Sequence, residues 1–240
     1  MYETLNTVFG DTMNRFTLLL MAGAIACGLA LAPESTTTTT QLPQTPDEAI
    51  AELVAGNKRY VKNKAESANP ASARPALAAG QAPFAAFIRC ADSRVSPEIC
   101  FDQPLGGLFV TGIAGNIVTP EVIASLEYTV AVLGSKLIVI MGHSSCGAVE
   151  AAIQFRNTTN ELPGSLPMLI DQIIVPCTLD SNPEDPNKYL ADAVTCNANK
   201  GIEQLINRSP VLAEAVKSGK LKIIAGVQDL GSGKFTITKQ

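Results

Sequence analysis

Short apolar runs alternate with helical patterns along most of this chain, and this alternation limits the folds that are open to it. The runs cover 84–88, 108–111, 137–141, 221–227 and 235–238. Their length suits buried strands, and the helical patterns between them predict an α/β fold with a mostly parallel central sheet of about four strands, flanked by helices. A Gly-Ser-Gly turn at 231–233 precedes the last run, which therefore predicts an antiparallel edge strand.

The first 44 residues differ from the rest of the chain. Residues 16–31 form a nearly unbroken apolar run after Arg15, which is shorter than the roughly 20 residues of a membrane span. We expect 1–32 to be a signal peptide or N-terminal anchor, and the protein to be exported to the periplasm or another extracytoplasmic space. Membrane attachment through this segment stays open, with lipidation of Cys27 as a weaker alternative. Met13 is a second candidate start.

A polar tether and a folded domain follow this leader. Residues 33–44 have no apolar period and predict a flexible tether. The domain, 45–240, is expected to begin with a helix, because Thr45 suits the N-cap, Pro46 suits the first turn and Glu48 completes a capping box.

Charge and histidine content exclude several classes of function. A net charge of −4 argues against a nucleic acid partner, since phosphate binding needs a basic face. The chain has one histidine, His143, so a His₃ zinc site, an HExxH protease site and a histidine relay are all excluded. A metal site would need some of the six cysteines as ligands.

Candidate ligands lie where two of the predicted strands end. Cys90 comes just after the first run, and His143 follows the third run with Cys146 three residues further on. Functional groups gather at the carboxyl ends of parallel strands, and two thiolates with one imidazole suit a zinc site that keeps an open position. Asp92 and Arg94 follow Cys90 closely. The alternative is two packed cysteines and an ordinary ion pair in a loop.

Two segments resemble one known family. CADSRVSPE at 90–98 and GHSSCGAV at 142–149 resemble the signature of the β-class carbonic anhydrases, CxDSR followed by HxxC. The resemblance extends over essentially the whole chain after the leader.

The resemblance implies an activity, a cofactor and a catalytic pair. The activity is the reversible hydration of carbon dioxide to bicarbonate and a proton. The implied cofactor is Zn²⁺ with the ligands Cys90, His143 and Cys146. Asp92 and Arg94 are implied as a catalytic dyad, in which the arginine holds the carboxylate away from the metal.

A substrate pocket and a homodimer or higher homo-oligomer are implied in the same way. Gln81 and the backbone N–H of Gly147 would orient the substrate, and Phe109 and Tyr128 would supply apolar walls from the neighbouring subunit. Gln81 and the absence of Trp favour the open, plant-like type. Gly112 replaces an arginine that is common in the family, which puts local support of the sheet or of subunit contacts in doubt.

Two other functions stay open at the level of sequence. A zinc hydrolase of the same fold could act on carbon disulfide or carbonyl sulfide, or the chain could be a catalytically silent scaffold stabilised by zinc. The intact pair of Asp92 and Arg94 argues against the scaffold, because a structural site needs neither residue.

A disulfide is a further open possibility. Cys177 and Cys196 flank an insert rich in Pro and Asp, and in an oxidising compartment they could pair. Two unrelated thiols are the alternative.

Overall fold

A single five-stranded sheet forms the centre of the molecule, in a computed structural model that describes residues 42–174, 177–178 and 184–240. The strands are β1 (Ala85–Arg89), β2 (Leu108–Gly112), β3 (Leu137–His143), β4 (Lys222–Gln228) and β5 (Phe235–Lys239). They are arranged in the order β2-β1-β3-β4-β5. The first four are parallel and β5 is antiparallel to β4, which confirms the predicted fold class.

Helices connect and cover the strands. They are α1 (Pro46–Val61), α2 (Arg74–Ala79), α3 (Pro97–Cys100), α4 (Pro120–Ala131), α5 (Gly147–Gln154), α6 (Leu166–Ile174), α7 (Pro186–Arg208) and α8 (Pro210–Lys217). Short 3₁₀ turns lie at Ala71–Ala73, Ala114–Asn116 and Thr159–Glu161. The sequence pattern did not predict α6.

The start of the domain agrees with the capping prediction. The backbone N–H of Glu48 donates to Thr45 Oγ1 at 3.2 Å, and the N–H of Thr45 donates to Glu48 Oε2 at 3.1 Å. The leader, and the tether as far as residue 41, lie outside the described residues. Within the described ranges, no helix combines the length and the apolar character that crossing a membrane requires.

Side chains of the central strand alternate between two core layers. Val139 and Met141 of β3 pack into one hydrophobic cluster with Phe101, whereas Ile138 and Ile140 pack into another on the opposite face. All residues of β3 are buried. Helices therefore cover both faces of the sheet, as expected for parallel strands, and leave the strand ends for functional groups.

A disulfide joins the segment after α6 to the long helix α7. Its cysteines are Cys177 and Cys196, with Cα atoms 5.4 Å apart. Of the two alternatives left open by the sequence, the structure has the paired one.

Candidate metal centre

Three candidate ligands meet at the carboxyl edge of the sheet. Cys90 follows β1, His143 ends β3, and Cys146 is the N-cap residue of α5. Because Arg89 pairs in parallel register with Met141, both strands end at the same edge. The ligand atoms lie within 4.8 Å of one another, and all three residues are buried. The structure thus brings together the three residues that the sequence pattern singled out.

The imidazole of His143 is oriented by its own loop. Its Nδ1 lies 2.9 Å from the carbonyl oxygen of Ser144. A carbonyl can only accept, so Nδ1 carries a proton, and in the neutral imidazole Nε2 then keeps its lone pair. Nε2 is buried and has no hydrogen-bond partner among the residues that the structure describes. An unpartnered lone pair of this kind is suited to metal binding.

The two thiols share a hydrogen bond that separates their pKa values. Cys146 Sγ donates to Cys90 Sγ over 4.0 Å, and the backbone N–H of Gly115 donates to Cys90 Sγ over 3.2 Å. The bond from Cys146 lowers the pKa of Cys90, and the same bond raises the pKa of Cys146. The first thiolate therefore forms readily, and a bound cation would favour the second.

The donor set fits zinc better than a harder cation. Zinc takes thiolate and imidazole ligands, and a site with three protein ligands keeps a fourth position for water or substrate. Mg²⁺ and Ca²⁺ prefer oxygen ligands, and of the candidate ligands here none offers one.

A carboxylate lies directly beside the three ligands. Asp92 Oδ2 is 3.8 Å from His143 Nε2. Arg94 donates to Asp92 three times: its backbone N–H and Nε each reach Oδ1 at 2.9 Å, and Nη2 reaches Oδ2 at 2.7 Å. The Arg94 guanidinium holds the pKa of Asp92 well below its usual range, so the carboxylate stays ionised at neutral pH.

Contacts from the last hairpin hold the loop between His143 and Cys146. The backbone N–H of Ser144 donates to the carbonyl of Gln228, and the N–H of Leu230 donates to Ser144 Oγ, both at 2.9 Å. Sequence reasoning missed Ser144 as a supporting residue, because these partners come from the far end of the chain.

Gly147 opens helix α5, directly after the ligand Cys146. A Cβ added at Gly147 would meet no atom within 4 Å in the described part of the chain. The space that a side chain would occupy at Gly147 is therefore empty of these residues, and the role of its N–H toward a substrate stays a prediction.

Within one chain, Phe109 and Tyr128 lie away from the ligands. Phe109 pairs in register with Ala86, which comes four residues before Cys90. At the rise of a β-strand, four residues separate Ala86 from Cys90 by about 13 Å. The rings of Phe109 and Tyr128 lie 6.3 Å apart, and Tyr128 is 42% exposed. Their predicted pocket role would therefore require a second subunit.

Gln81 likewise faces a separate part of the surface. It lies in an open depression of about 430 Å³, which none of the three ligands lines. The depression is formed by Leu77, Ala78, Gly80, Gln81, Leu105 and Gly106.

Arg89 covers Gly112, the position at which the resemblance noted in the sequence led us to expect an arginine. The two residues pair in register on β1 and β2, and a Cβ at Gly112 would lie 3.2 Å from Arg89 Cζ. Arg89 Nη1 donates to the carbonyl of Cys90 at 2.7 Å. A guanidinium is therefore present at this strand end, but the neighbouring strand supplies it. The sequence pattern did not single out Arg89.

The fold and this site define an α/β protein with a Cys-His-Cys metal centre at the carboxyl edge of its sheet, and three comparisons identify its family. The family profile described as "Carbonic anhydrase" matches residues 85–235. "Carbonic anhydrase 2" of Mycobacterium tuberculosis is 35% identical over 82% of this chain and 95% of its own length. A carbonic anhydrase of Pseudomonas aeruginosa is 38% identical over 66% of this chain and 74% of its own.

Solved structures agree with this result. A structure from a study of two tetrameric β-carbonic anhydrases of the ascomycete Sordaria macrospora matches with a TM-score of 0.62 and 26% identity. The match covers 79% of this chain and 96% of that one. The chain belongs to the carbonic anhydrase family, and its fold is that of the β class.

Proposed function

We propose that this carbonic anhydrase hydrates carbon dioxide reversibly at a zinc ion held by Cys90, His143 and Cys146. The observation that carries the proposal is the buried cluster of these ligand atoms beside the ion pair of Asp92 and Arg94. The unpartnered Nε2 of His143 supports a metal at this position.

Zinc at this site would act as a Lewis acid that lowers the pKa of a coordinated water. The residues of the chain would then orient the reactants. Asp92 stays ionised and offers acceptor oxygens toward the ligands, while Arg94 fixes its orientation through three donated hydrogen bonds. The backbone N–H of Gly147, which opens α5 directly after Cys146, would bind a developing negative charge on the substrate.

A homodimer or larger homo-oligomer would complete the pocket. Gln81, Phe109 and Tyr128 lie away from the ligands of their own chain, so a neighbouring subunit would have to bring them to the site. In the described residues β2 pairs with β1 alone, and the nearby Leu105 is 57% exposed. A free strand edge and exposed apolar side chains both favour association. Sedimentation equilibrium of the zinc-loaded protein tests this proposal, and a monomer would contradict it.

We also propose that the protein works outside the cytoplasm. The apolar run at 16–31 supports export. The disulfide of Cys177 and Cys196 supports it independently, because disulfides persist in oxidising compartments. Expression of the full chain followed by fractionation and N-terminal sequencing tests this. A cleaved extracytoplasmic protein is expected, an uncleaved protein in the membrane fraction would indicate an anchor, and a cytoplasmic protein would contradict export.

Stopped-flow hydration of carbon dioxide by the zinc-loaded protein, with carbon disulfide as a parallel substrate, tests the activity. Turnover of carbon dioxide is expected. Turnover of carbon disulfide alone would favour the hydrolase alternative, and no turnover at full zinc occupancy would favour a scaffold.

Substitution of the thiols tests the ligand set. Cys146→Ala should lose both zinc and activity. Cys100→Ala is the matched control, because Cys100 is buried outside the site and burial raises its pKa to about 11. Zinc retained at full stoichiometry in Cys146→Ala would contradict the assignment.

A further inference from the structure

One glycine connects the candidate ligand Cys90 to the long helix α7. The backbone N–H of Gly115 donates to Cys90 Sγ at 3.2 Å. The carbonyl of the same residue accepts from Asn197 Nδ2 at 2.7 Å. Gly115 is therefore held on one side by the thiol and on the other by an amide of α7.

The backbone at this position can be occupied only by glycine. Gly115 has φ +75°, and a Cβ there would lie 2.4 Å from Ile173 Cδ1 and 3.3 Å from Ala148 Cβ. The next residue, Asn116, also has a positive φ, at 45°. Glycine adopts a positive φ readily, but Asn116 does so less commonly, and contacts from the surroundings help to hold such a turn. Asn197 supplies a side-chain hydrogen bond to this turn from outside its own segment.

Helix α7 is a suitable support because it is packed tightly on the strand that carries His143. A Cβ at Gly142, the residue before His143, would lie 3.3 Å from Val194 Cγ1 and 3.5 Å from Ala198 Cβ. Asn197 lies on the same helix as these two contacts. One rigid element therefore positions both the strand of the imidazole and the turn that donates to the thiol.

We propose that Asn197 is a positioning residue for the metal centre. It orients the turn at Gly115 so that the N–H of Gly115 points at Cys90 Sγ. An N–H directed at a thiolate fixes the direction of the sulfur lone pairs and draws charge from the sulfur. Loss of such outer contacts reduces metal affinity by about 10- to 100-fold. Because Asn197 acts through Gly115, the lower end of this range is expected.

The test compares two amides on the same helix. Asn197→Ala removes the donor, and Asn197→Asp removes it while keeping the shape of the side chain. Asn199→Ala is the matched control, because Asn199 accepts from Thr238 Oγ1 at 2.6 Å and, within the described residues, has no hydrogen bond to the centre. Zn²⁺ affinity is measured by competition with a chelator, and thermal unfolding is measured on the same samples. Co²⁺ replaces zinc for absorption spectra, in which thiolate-to-metal charge transfer reports the environment of the sulfur.

Both Asn197 variants should bind Zn²⁺ about tenfold more weakly and shift the charge-transfer band, whereas Asn199→Ala should leave both unchanged. If either Asn197 variant folds and keeps wild-type affinity and spectrum, the proposal is overturned, and any fall in melting temperature then reflects a purely structural role. The inference rests on the proposed zinc site. Failure of the wild-type protein to bind Zn²⁺ would overturn the site itself, which distinguishes that failure from failure of the Asn197 proposal.

Discussion

The ion pair of Asp92 and Arg94 shows how a few contacts set the chemistry of one residue. Both oxygens of Asp92 accept from Arg94, and its side chain is only 17% exposed. Because Arg94 itself is more than half exposed, at 56%, the pair adds little stability. The ion pair instead holds the ionised carboxylate of Asp92 in a fixed orientation beside the candidate ligands.

Replacing this carboxylate should separate activity from metal binding. Asp92→Asn keeps the shape but loses the charge and one acceptor, so hydration of carbon dioxide should fall by about 10²-fold with zinc content unchanged. Stopped-flow rates and metal analysis measure the two effects. Asp171→Asn, at an exposed position of α6, serves as the control. A variant with wild-type rate would show that Asp92 has no catalytic part.

The contact between Arg89 and Gly112 predicts a coupled pair of substitutions. Gly112→Val should push the guanidinium away from the carbonyl of Cys90 and cost about 1–3 kcal/mol in the free energy of unfolding. In an Arg89→Ala background the same change should cost clearly less, because the clash is gone. Urea unfolding of the four proteins measures the coupling energy. Simple additivity would mean that the cost of Gly112→Val does not come from the contact with Arg89.

At the scale of elements, a buried carboxylate ties α1 to the segment after α3. Arg59 Nε lies 2.5 Å from Asp102 Oδ2, and the backbone N–H groups of Glu66 and Ser67 donate to the same carboxylate at 2.8–3.0 Å. The helical period of α1 places Arg59 on the solvent-exposed face, yet its guanidinium pairs with the buried carboxylate of Asp102. Helical period alone does not reveal such a partner.

This carboxylate should make stability depend on pH in the acid range. Burial opposes ionisation of Asp102, but Arg59 and the N–H donors outweigh it and lower the pKa from 3.8 to about 2. Because the pKa of Asp102 is lower in the folded state than in the unfolded state, its ionised carboxylate stabilises the folded protein above about pH 4. This stabilisation is lost as the pH falls toward 2. Asp102→Asn should therefore cost about 1–2 kcal/mol at pH 7 and progressively less in acid. Urea unfolding at pH 7 and pH 3 measures it.

The control for this prediction is a carboxylate of similar kind that is not buried. Asp47 of α1 pairs with Lys222 at the surface, where ion pairs contribute little. Asp47→Asn should change the stability by a few tenths of a kcal/mol at most. An equal loss in both variants, or a loss in Asp102→Asn that persists unchanged at pH 3, would contradict the assignment to Asp102.

At the scale of the whole molecule, the disulfide should contribute to stability through the unfolded chain. Cys177 and Cys196 are 19 residues apart, and closing a loop of this length is worth about 3 kcal/mol. Replacing both cysteines by Ser should lower the free energy of unfolding by about this amount. The reductant TCEP should destabilise the wild-type protein and leave the double variant unchanged. A wild-type protein insensitive to full reduction would contradict the prediction.

Local signals in the sequence account for most of the fold. The apolar runs predicted all five strands, and the Gly-Ser-Gly turn predicted the antiparallel edge. The capping box at Thr45 marked the start of the first helix. These features depend on neighbouring residues only, so they can be recognised without a structure. Helix α6, which is only nine residues long, was missed although Ser165 directly precedes it and Pro167 lies in its first turn.

The two short motifs likewise contained the candidate ligands and the dyad, because each motif is continuous in sequence. Only the tertiary structure decided how they meet. The parallel register of β1 and β3 brings Cys90 to His143. Tertiary packing places the N–H of Gly115 on the Cys90 thiol and the amide of Asn197 on the Gly115 carbonyl. Periodicity and motifs describe residues a few positions apart, whereas these contacts depend on strand order and on which helix crosses which strand. For that reason the sequence alone singled out the candidate ligands, and the tertiary structure decided which residues contact them.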